Sequence, residues 1–284
     1  MATIGDVWDS TTDVLAGRSR EIVPIALGAL LLPALVSAAL GGAAAGPVTG
    51  TATAAGAVGA VVAVVTGTIA LWGRLAITAV ALDPTTDSKQ ARAQATRRLL
   101  PMIGVLLVLA AAGIVLLMPL VVVLIGAGLD YPTLAATGRV RVPTMSGGAM
   151  WFVRLYSLAL VVLALWVVAR IKLLAASVVL AEGRVIGAIG RAAALTRGMT
   201  WRLIGVVVLY YVVLGVVVLA TSWVAATVFR LALGPDSQGT VAFLAGAFGA
   251  AVGAALDTTA QVFAARLYVA LAGTPPVVAA GGAA

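Results

Sequence analysis

The stretch KLLAASVVLAEGRVIGAIGRAAALTRGMTWRLIGVVVLYYVVL, residues 172–214, decides the fold. It opens at the end of one long apolar run, passes through a basic amphipathic link and enters the next apolar run. The link carries Arg184, Arg191, Arg197 and Arg202 against a single acid, Glu182. Such a segment is expected to lie as a helix on the inner membrane face, its arginines among anionic lipid headgroups, and to join two membrane-spanning helices.

Composition leads the same way. Hydrophobic residues make up 62% of the 284 and charged residues 10%, with a mean hydropathy of +1.15. So few charges cannot cover a water-facing surface, and a bilayer must cover most of it. Helices and closed barrels alone keep every backbone polar group paired in lipid. Long unbroken apolar runs, with no alternation of apolar and polar residues, select helices. The expected class is an all-α polytopic membrane protein.

The chain has no cysteine and no histidine. Disulfides, thiolate chemistry and any His-based metal site or general base are excluded, and no metal or cofactor is expected. A net charge of +8 raises nucleic acid as a partner. No basic segment interleaves with stacking aromatics, however, so nucleic-acid binding is not expected. Membrane lipids, with anionic headgroups at the cytoplasmic face, are the expected partners, and a protein partner or a second copy of the chain is compatible with the pattern.

Residues 2–20 begin with an amphipathic helix. Ile4, Val7, Trp8, Thr11 and Leu15 share one face, and Asp6, Asp9 and Asp13 the other. Trp8 suits a headgroup-level anchor. The first span covers about 22–40; it is too long for a signal-peptide core, and acids precede it, so a retained span is expected. The second covers about 54–72 and ends near Arg74. A second basic link follows at 84–100, with Lys89, Arg92, Arg97 and Arg98. The third span runs about 102–126 and contains Pro119, which should kink it. Residues 127–150 form the longest polar loop. The fourth span (about 151–168) ends near Arg170 and Lys172, the fifth covers about 203–228, and the sixth about 241–263, ending near Arg266. The tail 273–284, rich in Pro, Gly and Ala, reads as disordered.

Six spans put both termini on one side. Of the 18 Lys and Arg residues, all but Arg139, Arg141, Arg154 and Arg230 fall on that side. The bias predicts cytoplasmic termini in a bacterial inner membrane.

Arg74, Arg170 and Arg266 lie 96 residues apart in turn, each after an aromatic: Trp72, Trp166 and Phe263. Spans three and five also open alike, Met102-Ile103-Gly104-Val105 against Leu203-Ile204-Gly205-Val206. A threefold repeat of surface helix plus helical hairpin follows, over about 2–83, 84–182 and 183–272, within a single domain 1–272. The simpler alternative is that any six-span chain has regular spacing and basic ends. If the repeat holds, a pseudo-threefold bundle is expected.

One acid sits deep. Asp257 shares a face of span six with Ala245, Gly249, Gly253 and Gln261, all spaced by four. The first three residues of that face form a small-residue seam for a neighbouring helix. An intramembrane acid is a candidate functional group, and the plainer expectation is that Asp257 pairs with Arg74 or Arg170 to hold the bundle. Arg74, Arg170, Lys172 and Arg266 can each snorkel to lipid phosphates; under the symmetry, the three arginines could also converge on one headgroup. Enzyme signatures are missing. There is no Ser–His pair, no second membrane carboxylate facing Asp257 and no phosphate-binding GxxxxGK[ST].

Glu182-Gly183, Ala188 to Arg191, Leu195-Thr196-Arg197-Gly198 and Trp201-Arg202-Leu203-Ile204-Gly205 together resemble the membrane domain named after glycerophosphoryl diester phosphodiesterases. Ala192 stands where that family commonly has Ser. The resemblance implies a six-helix inner-membrane protein, and none of the activity of the catalytic soluble domain that gives the family its name is expected of these residues, which include no His. The expected role is a non-enzymatic membrane scaffold or accessory factor. The alternative is a transporter or lipid-handling protein with a central cavity near Asp257.

Overall fold

The computed structural model describes residues 3–44, 52–83, 85–128, 146–182, 185–196, 198, 200–234 and 236–272. Among them 94% are helical and none is in a strand, with six helices long and apolar enough to cross a membrane. This is an all-α, multi-pass integral membrane protein. The polar loop with Arg139 and Arg141, the tail 273–284, Arg184 and Arg197 lie outside the described residues, as do the side chains of Lys172 and Glu182.

An N-terminal helix, Ile4–Gly17, starts on a reciprocal cap. The Asp6 backbone N–H donates to Thr3 Oγ1 and the Thr3 N–H to Asp6 Oδ2, satisfying two N-terminal donors. Val7 and Thr11 are buried and the three aspartates exposed, as the periodicity predicts. Span one runs from Ser19–Ala26 through a π-helical turn, Leu27–Leu31, into Leu32–Ala44. Span two is Ala52–Leu82, span three Ser88–Gly126, span five Thr200–Leu233 and span six Gln238–Ala272. Span four combines Gly147–Val167, a second π turn at Val168–Lys172, and Leu173–Glu182, and is followed by a link helix, Val185–Leu195.

Two expectations need correction. The second basic link is no separate surface helix, because Ser88–Gly126 runs unbroken through Pro101 and Pro119. A proline frees the carbonyl four residues earlier, here that of Arg97, and at headgroup level water can satisfy it. The even-numbered spans also do not end at their arginines. They continue to Leu82, Glu182 and Ala272, so Arg74, Arg170 and Arg266 are interior helix residues.

Those extensions form the core. In 75–82 every residue is buried, with Leu75, Ala76 and Ile77 fully so, and 175–180 and 262–265 are buried likewise. These apolar helix ends lie beyond the arginines along the chain and would meet water if left bare outside the bilayer. The amphipathic segments cover them: the N-terminal helix packs on span six and the link helix on the end of span four. The start of span three covers span two with buried Ala91 and Ala95, where Trp72 Nε1 donates to Thr96 Oγ1 at 3.0 Å. Here the hydrophobic effect acts, at roughly 25 cal/mol per Å² removed from water. Within lipid it gives no such gain, and there packing is sparse. No residue is buried in 59–70, 106–128 or 147–168.

The spans form a closed ring, each packing on the next in chain order and the sixth on the first. The inner ends of spans two, four and six also pack on one another. The molecule is therefore tight at the end carrying the basic links and open toward lipid at the other.

Candidate functional site

Asp257 lies nine residues before Arg266, about 14 Å back along the sixth helix toward its middle. A lone carboxylate there is costly. Two residues receive it: Arg74 Nε of span two donates to Asp257 Oδ2 at 2.8 Å, and Gln261 Nε2 donates to Asp257 Oδ1 at 3.2 Å. The shared face of Asp257 and Gln261 is thus present, with the four-residue spacing placing amide under carboxylate. Both Asp257 oxygens are engaged and its charge is matched by a guanidinium. The pair is not sealed by protein, the side chains of Arg74 and Asp257 keeping 43% and 23% of their exposure. Tyr210 of span five lies close enough to feel both charges.

The small-residue face divides. A Cβ on Gly249 would meet Ser222 Oγ of span five, so that glycine does allow close approach, and Ala245 is buried. A Cβ on Gly253 would meet nothing, so the seam stops one turn short of Asp257. Close approach recurs where sequence did not flag it. A Cβ on Gly73 would collide with Ala29 Cβ in the π turn of span one, and one on Gly246 would lie 3.2 Å from Ala38 Cβ.

The three spaced arginines do not converge. Arg170 sits in the π turn of span four, stacks over the Trp166 ring at 5.0 Å and donates from Nη2 to the Ala193 carbonyl at 3.1 Å. It thereby holds the last turn of the link helix, where free carbonyls favour a cation. Arg170 Nε is buried without a hydrogen-bond partner, as is Ser177 Oγ. Arg266 Nε donates to Ser10 Oγ at 2.6 Å and so anchors the N-terminal helix, while Trp8 rests against Phe263 at 6.3 Å between ring centres. Among the described residues, Arg74 is the one of the three that reaches an acid.

The family-like link has a structural reading. Thr196 Oγ1 donates back to the Ala192 carbonyl at 3.0 Å, and Gly198 takes a φ of +87°, which ends the helix in a conformation that favours glycine. Arg191 and Arg202 are exposed on the basic face, and Trp201 is 84% exposed, as an interfacial anchor should be.

Arg18 went unremarked in sequence beyond its charge. Its guanidinium donates to the carbonyls of Val80 (2.5 Å), Asp83 (2.9 Å) and Thr86 (2.6 Å) and to Glu21 Oε2 (2.7 Å). It closes the C-terminal end of span two onto the start of span one. Beside it the Thr85 hydroxyl and backbone N–H both donate to Asp83 Oδ1, holding that carboxyl below its ordinary value. The legible signal was an arginine four residues before a span, opposite an Asp-Pro-Thr-Thr turn.

Among the described residues no group of acids could hold a metal ion. Asp257 lines neither the crevice at the turn between spans five and six nor the one beside Trp166 and Trp201. No protein-family model matches the chain, nor does any curated protein or solved structure.

Proposed function

We propose that this is a non-enzymatic protein of the bacterial inner membrane, with both termini in the cytoplasm, serving as a membrane scaffold or accessory factor. The observation that carries the reading is the Asp257–Arg74 pair. The one deep acid is spent on a neighbouring helix beside a packed inner core, where a carrier would keep it available to a proton or substrate. The bias of Lys and Arg toward the link side supports the orientation. The closed ring, with alternate spans meeting at the centre, supports a threefold repeat over about 2–83, 84–182 and 183–272. The link residues, with the N-terminal IGDVWDSTTDVL and the closing ARLY, support the likeness to the phosphodiesterase-associated membrane domain.

Exchanging the two charges tests the staple. Arg74→Asp and Asp257→Arg should each lower thermal stability in detergent, and the double exchange should recover most of the loss. A chain that uses Asp257 in transport would instead keep its stability in Asp257→Asn and lose movement of solute across proteoliposomes.

A second reading, lipid handling, is favoured by one observation: the pair is incompletely covered and borders spans whose outer halves pack loosely. A scrambling assay with fluorescent phospholipids separates the two. The scaffold leaves lipid exchange between leaflets at the rate of empty vesicles, whereas a lipid handler accelerates it and loses the acceleration in Asp257→Asn.

A further inference from the structure

At the end opposite the basic links, a crevice of about 730 Å³ opens between spans five and six. Its span-five wall carries Trp223, Ala226 and Arg230, and its span-six wall Gln238, Val241 and Ala242. From Leu203 to Arg230 the helix rises roughly 40 Å, about the thickness of a bilayer with its headgroups. With Trp201 and Arg202 at one headgroup layer, Arg230 and Gln238 stand at the other. Trp223 lies seven residues deeper, about 10 Å, at acyl-chain level.

Polar and apolar residues are thus stacked in the order of a phospholipid. A guanidinium and an amide lie at phosphate depth, and an aromatic and small aliphatic residues lie below. Arg230 is one of four basic residues that the charge bias leaves on this side. Among the described residues Arg230 has no ion-pair partner, the exposed Asp236 of the adjoining turn included, and Gln238 has no side-chain hydrogen bond, so both polar groups at the mouth of the crevice are available to a ligand. Two apolar helix walls with a free cation at their rim complement a phosphate ester carrying a hydrocarbon chain.

We infer that this crevice binds one anionic phospholipid of the leaflet facing away from the basic links, its phosphate on Arg230 and Gln238 and one acyl chain against Trp223 and Ala242. The occupant is distinct from the headgroups along the basic links, and its binding does not depend on the role proposed for Asp257.

The full chain is purified in detergent, equilibrated with an equimolar mixture of phosphatidylglycerol and phosphatidylethanolamine, and its bound lipids are counted by native mass spectrometry. Wild type should retain phosphatidylglycerol preferentially, and Arg230→Gln should reduce that preference about fivefold, the effect of one basic residue at a lipid surface. Ala242→Trp fills the crevice without touching charge and should lose the bound lipid altogether. Both positions line an open crevice, and helical circular dichroism establishes that the variants are folded; Gln238→Ala supplies a milder third variant that should weaken retention. Excess inorganic phosphate should leave the lipid in place. Unchanged retention in the folded variants overturns the inference, and displacement of the lipid by phosphate overturns it in favour of a simple anion site.

Discussion

A carboxylate in hydrocarbon is tolerable only if something nearby wants its charge, and Asp257 has Arg74 at 2.8 Å. The Gln261 amide takes the second oxygen. Charge-assisted hydrogen bonds contribute about 1.5–3 kcal/mol. Asp257→Asn should therefore lower stability by about 2 kcal/mol, and Arg74→Gln by more, since it leaves a bare acid in the membrane; thermal denaturation in detergent reads both. Asp83 gives the pH counterpart at the membrane surface. Its carboxyl is held below the ordinary value by Thr85, so the turn it closes is fully stabilised at neutral pH. That contribution is lost only as pH falls through and below about 4, where the carboxyl protonates. Hydrogen exchange of the Thr85 amide should speed up on that acid side. In Asp83→Asn it should be fast already at neutral pH. At this scale the sequence was partly readable: a spacing of four announced the Asp257–Gln261 contact. The partners of Arg170 and Arg266 were not, because a carbonyl on a link helix and a serine 256 residues away leave no local pattern.

Apolar runs locate spans because every spanning residue must be greasy, but they do not say what the grease touches. Residues 75–82 are buried in protein on all sides, while 106–126, equally apolar, are buried nowhere. Hydropathy is similar in both, so the apolar residues after Arg74, Arg170 and Arg266 were visible in the sequence, but their burial within one continued helix was not, nor was the continuity of span three through Pro101. Close helix contacts are sharper markers. Gly73→Ala places a methyl against Ala29 Cβ, which has no rotamer to yield, and should cost about 1–3 kcal/mol. Gly249→Ala meets only the Ser222 hydroxyl, which can rotate, and should cost less. Gly253→Ala meets nothing and should be neutral. Thermal stability of the three variants should rise in that order, Gly73→Ala lowest. Gly198→Ala should loosen the turn after the link helix by about 1 kcal/mol, because an alanine resists a positive φ.

At the scale of the molecule, lipid and water divide the work. Water drives the inner-end core together, since three amphipathic segments must cover three apolar helix ends. Lipid rewards no such burial, and the outer halves of spans two, three and four stay loosely packed. Tyr156 Oη donates to the Leu116 carbonyl at 2.6 Å, a polar tie between spans three and four beside Pro119. The crossing number was legible because a bilayer imposes length and hydropathy on each segment. The ring order was not, because helix neighbours are chosen by small residues and scattered polar contacts. The central claim is a ring of six crossings whose basic links all lie on the cytoplasmic side. The chain contains no cysteine, so single cysteines can report topology directly. Gly190, exposed on the link helix, and Asp236, in the turn between spans five and six, are suitable sites. With a membrane-impermeant maleimide, Asp236→Cys should label in cells whose inner membrane is intact, and Gly190→Cys only after that membrane is permeabilised. Labelling of Gly190→Cys from outside, or equal labelling of both, would contradict the account.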